Sequence, residues 1–286
     1  MKIKYSIVFL SFLLFIPQLL KSQTDTTLTS TDANLDNYSS AMINLSYTNN
    51  NLENLSGETE NIPTLFSNIS YFHKSGIYAD FGYAKYFGDI TSSKDFDINA
   101  GYQKYFLNGF NFDINYTWHK YSGDTIMEGF NYNHATNLIM EYELGKFSIS
   151  TDLTYYMGNT NNYGFDLNLS RFISIDKIFF KTDALYINPT LSASFGTDYW
   201  LFEDMSESEQ NSLFADLKKS GYTYETFSYE SFNFYLPVSY GIGNIYFTFS
   251  WLYKVPSSKY KYIGWENQSS IMLSLSYFLN FNKNTN

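Results

Sequence analysis

Phe110-Asn111-Phe112-Asp113-Ile114-Asn115-Tyr116-Thr117-Trp118 alternates without a break: Phe110, Phe112, Ile114, Tyr116 and Trp118 share one parity, Asn111, Asp113, Asn115 and Thr117 the other. Side chains along a strand point to opposite faces in turn, so this stretch predicts a β-strand with one apolar and one wet face. The same split recurs in Phe96, Ile98, Ala100 and Tyr102 against Asp95, Asp97, Asn99 and Gln103, and in Ile245, Phe247, Phe249, Trp251 and Tyr253 against Tyr246, Thr248 and Ser250. It recurs again in Phe147, Ile149, Leu153, Tyr155 and Met157 against Ser148, Ser150, Asp152 and Thr154.

Followed along the chain, the period-two pattern predicts about twelve strands, near 40–49, 64–73, 77–87, 94–105, 110–121, 134–144, 147–157, 163–173, 185–196, 229–240, 245–254 and 269–281. The connections alternate in length. Those at 73–76, 107–109, 144–146 and 241–244 are short and carry the Gly that tight hairpin turns favour. Those at 50–63, 88–93, 122–133, 158–162, 197–228 and 255–268 are longer and polar, and 174–184 is longer than expected for its class. Backbone groups in hydrocarbon must all be paired, which an antiparallel sheet achieves by closing on itself. The expectation is therefore an all-β chain: a transmembrane antiparallel up-and-down β-barrel of about twelve strands, with short periplasmic turns and long extracellular loops. Trp118, Tyr121, Tyr155, Trp251 and Tyr253 near one set of strand ends, and Tyr240 and Tyr277 near the other, suit the two membrane interfaces. A secreted sandwich or lipocalin-like barrel is the soluble alternative. It would not ordinarily need so many long strands with Asp and Asn filling a whole face.

Composition agrees. Aromatics make up 21% of 286 residues, Pro numbers 5 and Cys is absent, which excludes a disordered chain and a cysteine metal site or disulfide framework. A mean hydropathy of −0.28 excludes a polytopic helical membrane protein. Residues 1–22 have the form of an export signal peptide, with Lys2 and Lys4 before an apolar run from Ser6 to Leu20. Its removal takes away Lys2, Lys4 and Lys21 from 18 basic residues, leaving 15 against 28 acidic, a net charge of about −13. Nucleic acid, which demands a basic surface, is not an expected partner. Residues 23–38 read as a flexible extension, 39–281 as the barrel and 282–286 as a tail. No globular plug precedes the first strand, which points away from an energy-dependent receptor. In the last strand, Leu275, Tyr277, Leu279 and Phe281 resemble the terminal signal by which outer-membrane barrels are inserted. The expected partners are thus outer-membrane lipid, the barrel-insertion machinery and small solutes, in the outer membrane of a Gram-negative cell.

Pro63-Thr64-Leu65, Tyr71-Phe72-His73-Lys74-Ser75-Gly76-Ile77-Tyr78-Ala79, Asp97-Ile98-Asn99-Ala100-Gly101-Tyr102, Glu141-Tyr142-Glu143 and Tyr163-Gly164-Phe165-Asp166-Leu167-Asn168-Leu169 resemble stretches of the TorF-type porin family. The resemblance covers about 63–173 and the last strand. It implies a small outer-membrane porin whose solute the family does not define.

The polar parity, turned inward, places Asp80, Asp95, Asp97, Asp113, Glu141, Glu143, Asp152 and Asp166 on the lumen wall, with no Lys or Arg expected among them. Such a wall concentrates cations, and the expected function is passive diffusion of small, preferably cationic or neutral, solutes. The alternatives are a closed structural or adhesive barrel acting through its loops and, third, an outer-membrane lipid hydrolase. The last rests on His134-Ala135-Thr136-Asn137, which resembles the His-x-Ser-Asn stretch of outer-membrane phospholipase A. Thr136 replaces the nucleophile and Leu138 the following Gly, so no catalytic residue and no enzyme activity are expected. His73, His119 and His134 lack metal-ligand spacing, and neither metal nor cofactor is expected. Within 197–228, Ser206 and Glu209 form a capping-box pair, and Leu213, Phe214 and Leu217 share one helical face. This predicts a helical insert near 204–220, over about 206–219, that acts as a loop lid over the pore or packs as a plain surface helix.

Overall fold

The computed structural model of the chain describes residues 39–50, 62–87, 94–122, 132–158, 161–197, 206–222, 227–262 and 264–281. The expected signal peptide, the extension 23–38 and the tail 282–286 lie outside the described residues.

The chain forms β1 (Ser39–Thr48), β2 (Thr64–Phe72), β3 (Ile77–Tyr86), β4 (Lys94–Tyr105), β5 (Phe110–Ser122), β6 (Tyr132–Leu144) and β7 (Phe147–Gly158). It continues with β8 (Asn162–Arg171), β9 (Ile173–Asp176), β10 (Asp183–Ile187), β11 (Thr190–Gly196), β12 (Ser228–Ile242), β13 (Ile245–Pro256) and β14 (Gln268–Phe281). Two helices, α1 (Glu207–Lys219) and α2 (Ser258–Tyr262), lie in the long connections. From β1 to β8 and from β12 to β14 each strand pairs antiparallel with the next in the chain, β11 pairs with β8 and β12 and β10 with β9 and β12, and β1 pairs with β14 from Ser39↔Phe281 to Thr48↔Met272, which closes the sheet. The fourteen segments make a closed barrel of 12 strands, because β8 with β9, and β10 with β11, are each two halves of one strand.

The break between those halves has a chemical cause. Proline offers no N–H to a ladder. Pro189 separates β10 from β11, and Pro237 on β12 lies where that strand changes partner from β11 to β10. The carbonyls of both prolines still accept, Pro189 from Arg171 N–H at 3.1 Å and Pro237 from Asn188 N–H at 3.3 Å. The ladders are thus interrupted along one line through Phe172, Pro189 and Pro237 without the sheet opening.

The predicted connection 174–184 is corrected by the structure. Ser174 to Asp176 belong to β9 and Asp183 and Ala184 to β10, so the turn is only 177–182. No glycine marks it. Lys177 takes the left-handed conformation at φ 58°, and the Asp183 carboxylate accepts from Phe179 N–H at 2.9 Å. At the other hairpins Gly76 and Gly109 supply that conformation, with φ of 92° and 81°.

Burial inverts relative to a soluble protein. Along β1, Ser40, Met42, Asn44, Ser46 and Thr48 are buried, whereas Ile43, Leu45 and Tyr47 are exposed. Ile69, Phe81, Ile98, Ile114, Leu153, Leu167, Phe249, Leu273 and Leu275 continue that exposed apolar belt around the barrel. A contiguous apolar surface of this extent is unstable in water and defines a lipid-facing wall. Among the described residues no helix is long and apolar enough to cross a membrane; the strands cross it.

Leu275 lies near the middle of β14, opposite Leu45 and Phe247, and Phe281 at its end. Leu275→Arg should lower unfolding free energy in vesicles by ~2–4 kcal/mol and Phe281→Arg by only ~0–1 kcal/mol, a depth dependence read from denaturant titrations.

Candidate functional site

Charge is sorted by face. The strand carboxylates Asp80, Asp95, Asp97, Asp113, Glu141, Glu143, Asp152 and Asp166 all take the inward register, while Lys85, Lys94, Lys104, Lys120 and Arg171 take the outward one. Asp183, at the rim where β10 begins, is an outward carboxylate. The expectation of a lumen without cations is corrected by Lys254, which shares the inward parity of Tyr246, Thr248 and Ser250 on β13 and lies within electrostatic reach of Asp166.

The inner wall has two unlike halves. On β1 to β5 it is packed. Asp80, Asp95, Asp97 and Asp113 are buried there, as Asp152 is on β7. The Tyr78 ring lies across Gly101, where a Cβ would collide with it, and its hydroxyl donates to Asp113 Oδ1 at 2.8 Å. Asn115 Nδ2 donates to the same oxygen at 2.9 Å, and Asn99 Nδ2 donates to Asn115 Oδ1 at 3.1 Å and Thr117 Oγ1 at 2.6 Å. This ladder runs across three strands. Above it, Asp97 lies over Gly82 and is register-paired with His119, whose Nδ1 is 3.7 Å from Asp95 Oδ2. Both oxygens of Asp80 and of Asp152 are buried, with no hydrogen-bond partner among the described residues. An ionised group so placed needs a donor or a counter-charge.

On β6 to β8 and β11 to β13 the inner wall is more accessible. Glu141, Glu143, Asp166, Asn168, Ser194, Asn233 and Lys254 are half-buried. Ser194 Oγ donates to Asp166 Oδ1 at 2.5 Å and accepts from Asn233 Nδ2 at 2.9 Å, so Asp166 is held in place while facing the interior. Asn111 Nδ2 reaches both Glu141 Oε2 and Glu143 Oε1, at 3.4 and 3.5 Å.

Aromatic residues cluster at both ends of the barrel. At the short-turn end Met42, Phe72, Tyr78, Ala184, Tyr186, Tyr246 and Phe278 form one buried cluster, against which Phe172 packs. Tyr246 meets Phe278 edge-on at 5.3 Å between centroids. At the long-loop end α2 folds against the inner side of β12. Lys259 Nζ donates to Ser228 Oγ at 2.6 Å, and buried Tyr260 stacks on buried Trp265 at 4.3 Å. The Tyr260 hydroxyl lies 3.5 Å from Glu230 Oε1. Sequence reading did not single out α2, Lys254, Lys259 or Tyr260. The cluster Tyr260, Tyr262 and Trp265 beside two lysines was the available signal.

The helix expected near 204–220 is α1, residues 207–219, with Ser206 as its N-cap and a complete capping box to Glu209; Asp204 and Met205 lie outside the described residues. Leu217 is buried, Leu213 and Phe214 half-buried, and a ring contact of Tyr222 with Tyr262 at 5.8 Å ties this segment to α2. His134 stands on the outer face, stacked on Tyr116, with Nδ1 2.5 Å from the Tyr116 hydroxyl. Among the described residues no three His, Asp or Glu side chains converge to hold a metal ion.

No protein-family model matches the chain, and no curated protein matches it. Solved barrels are similar at low identity. A KdgM porin is 11% identical with a TM-score of 0.48, over 82% of this chain and 98% of its own. LpxR from Salmonella typhimurium is 6% identical with a TM-score of 0.49, over 84% and 100%. A NanC porin is 10% identical with a TM-score of 0.43, over 82% and 97%. Similarity at this level carries no argument about activity, and the barrel stands on its own register.

Hydrogen bonds from the Ser206 hydroxyl and backbone N–H hold the Glu209 carboxyl below the usual glutamate range. A lowered folded-state pKa makes its contribution to α1 complete above the ordinary glutamate value and lost as pH falls through the lowered one. Amide exchange in α1, taken relative to the intrinsic rate at each pH, should therefore be most strongly protected at neutral pH and lose protection in acid. Ser206→Ala should accelerate it by a few-fold even at neutral pH, as loss of an N-cap predicts.

Proposed function

We propose that the protein is an outer-membrane channel for passive diffusion of small solutes, with a preference for cations. The observation that carries the reading is the sorting of charge: carboxylates inward, lysines outward, and an accessible inner flank at Glu141, Glu143 and Asp166. A low-dielectric wall of one sign raises the local concentration of the opposite ion and repels its own. Lys254 moderates that field near Asp166 but does not cancel it. The resemblance of 63–173 to TorF-type porins supports the same reading. Short turns at one barrel end and long loops at the other support an orientation with the termini in the periplasm. The α1 and α2 segments, joined through Tyr222 and Tyr262, are then a cap over the extracellular mouth, and Leu213, Phe214 and Leu217 its apolar face.

A second reading has a specific observation in its favour. The aromatic cluster around Tyr186, Tyr246 and Phe278, with the packed half of the wall, suits a closed barrel that works through its loops. The hydrolase reading has less support, since His134 is held by Tyr116 and its neighbour Thr136 is a poor nucleophile without an activating base.

Single-channel recording of the refolded protein across a salt gradient separates the first two. The channel reading expects stable steps with a cation-selective reversal potential, which Asp166→Asn combined with Glu141→Gln and Glu143→Gln shifts toward zero. Electrical silence from protein whose heat-modifiable gel mobility shows it folded selects the closed barrel.

A further inference from the structure

Three lysines stand side by side on the lipid-facing wall at the long-loop end of β3, β4 and β5. Lys85 and Lys94 are direct register partners. Lys120 is paired with Phe96, two residues along from Lys94, and so is diagonal to Lys94 across the β4–β5 ladder. Like charges directly opposite each other on one sheet face repel. Here they also sit on a chain of net charge −10. Among the described residues none of the three has a carboxylate within ion-pair distance, and every strand carboxylate nearby, Asp80, Asp95, Asp97 and Asp113, faces the other side of the wall. The outward bases on the strands at the opposite rim are different. Lys104 on β4 and Arg171 on β8 are far apart in the sheet, each over one ring, Phe106 and Phe147. Single snorkelling residues explain that rim. They do not explain three adjacent ammonium groups on neighbouring strands.

Below the lysines the wall continues as an aromatic and apolar shelf. Tyr83 packs on Phe96 at 5.0 Å between centroids, Phe81 on Phe96 at 6.5 Å, and exposed Ile98 and Trp118 are register partners. Lys85 Nζ lies 4.9 Å above the Phe87 ring, which keeps the ammonium at the rim. A ligand for this surface carries clustered negative charge at headgroup depth and acyl chains below it.

We propose that the outer face of β3 to β5 binds a phosphorylated glycolipid of the outer leaflet, its sugar phosphates held by Lys85, Lys94 and Lys120 and its acyl chains lying on Phe81, Phe96, Ile98 and Trp118. The phosphates supply counter-charge that no carboxylate among the described residues gives these lysines. This rests on the outer-membrane orientation proposed above and is independent of whether the lumen conducts.

The test uses the refolded chain in phosphatidylcholine vesicles doped with bisphosphorylated lipid A, with dephosphorylated lipid A, or with phosphatidylglycerol. Retained lipid is counted by native mass spectrometry, and unfolding is followed by heat-modifiable mobility. Wild type should retain lipid A and unfold at higher temperature in its presence, with little response to the other two lipids. Lys85→Gln/Lys94→Gln/Lys120→Gln should bind lipid A roughly ten- to hundred-fold more weakly, whereas Lys104→Gln should match wild type. Gel mobility in phosphatidylcholine alone establishes that each variant is folded. Equal retention by the triple variant, or an equal response of wild type to phosphatidylglycerol, overturns the proposal. Failure of the conductance experiment leaves this readout unaffected, so the two proposals fail separately.

Discussion

Every backbone N–H and C=O that enters hydrocarbon must find a partner within the protein, and the β1–β14 pairing meets that demand for the whole sheet. A sheet with a free edge would leave a column of polar groups in lipid. Closure between the first and last strands, residues more than two hundred apart, is therefore the condition on which the other eleven ladders depend. Its strength shows at Pro189 and Pro237, where missing donors break the ladder. Both carbonyls are still bonded, and the strands continue as β10 and β11 rather than ending.

Closure then divides the chain chemically. A strand shows alternate residues to lipid and to the interior, so one-residue periodicity becomes a radial separation of charge. Carboxylates fall inside and lysines outside, with Lys254 and Asp183 the departures. Each departure has a local reason. Lys254 faces Asp166, and Asp183 serves the turn 177–182 through Phe179 N–H and the Tyr240 hydroxyl. The interior is not uniform, because inward glycines let neighbours lie flat. Tyr78 crosses Gly101, Asp97 covers Gly82 and Tyr246 covers Gly241. Tyr78 and Asp97 over their glycines help fill the packed half, whereas Tyr246 belongs to the ring cluster at the short-turn end.

The two ends of the barrel share one theme. At the short-turn end aromatic rings meet from β2, β3, β10, β13 and β14. At the other end, Tyr260, Trp265, Tyr222 and Tyr262 join two loops distant in sequence. Rings from separate strands and loops thus pack together at both ends of the barrel.

Much of this was legible in the sequence for one reason: alternation is a local code, and a strand's face assignment needs no knowledge of its partners. Phe110 to Trp118 disclosed a two-faced strand, repetition disclosed the barrel, and Ser206 with Glu209 disclosed α1, since a capping box closes within four residues. The 177–182 turn was missed because Lys177 and Asp183 make it without glycine. Whether an inward residue meets water was not written locally either. Asp97 and Asp166 look alike in sequence, yet one is buried over Gly82 and the other half-buried on the accessible flank. That difference depends on which strands closure makes neighbours and on which large side chains lie across them. Strand faces and charge sorting were determined by sequence, whereas the packed and accessible halves, the ring clusters at the mouths and the Lys85–Lys94–Lys120 row were decided only by tertiary pairing.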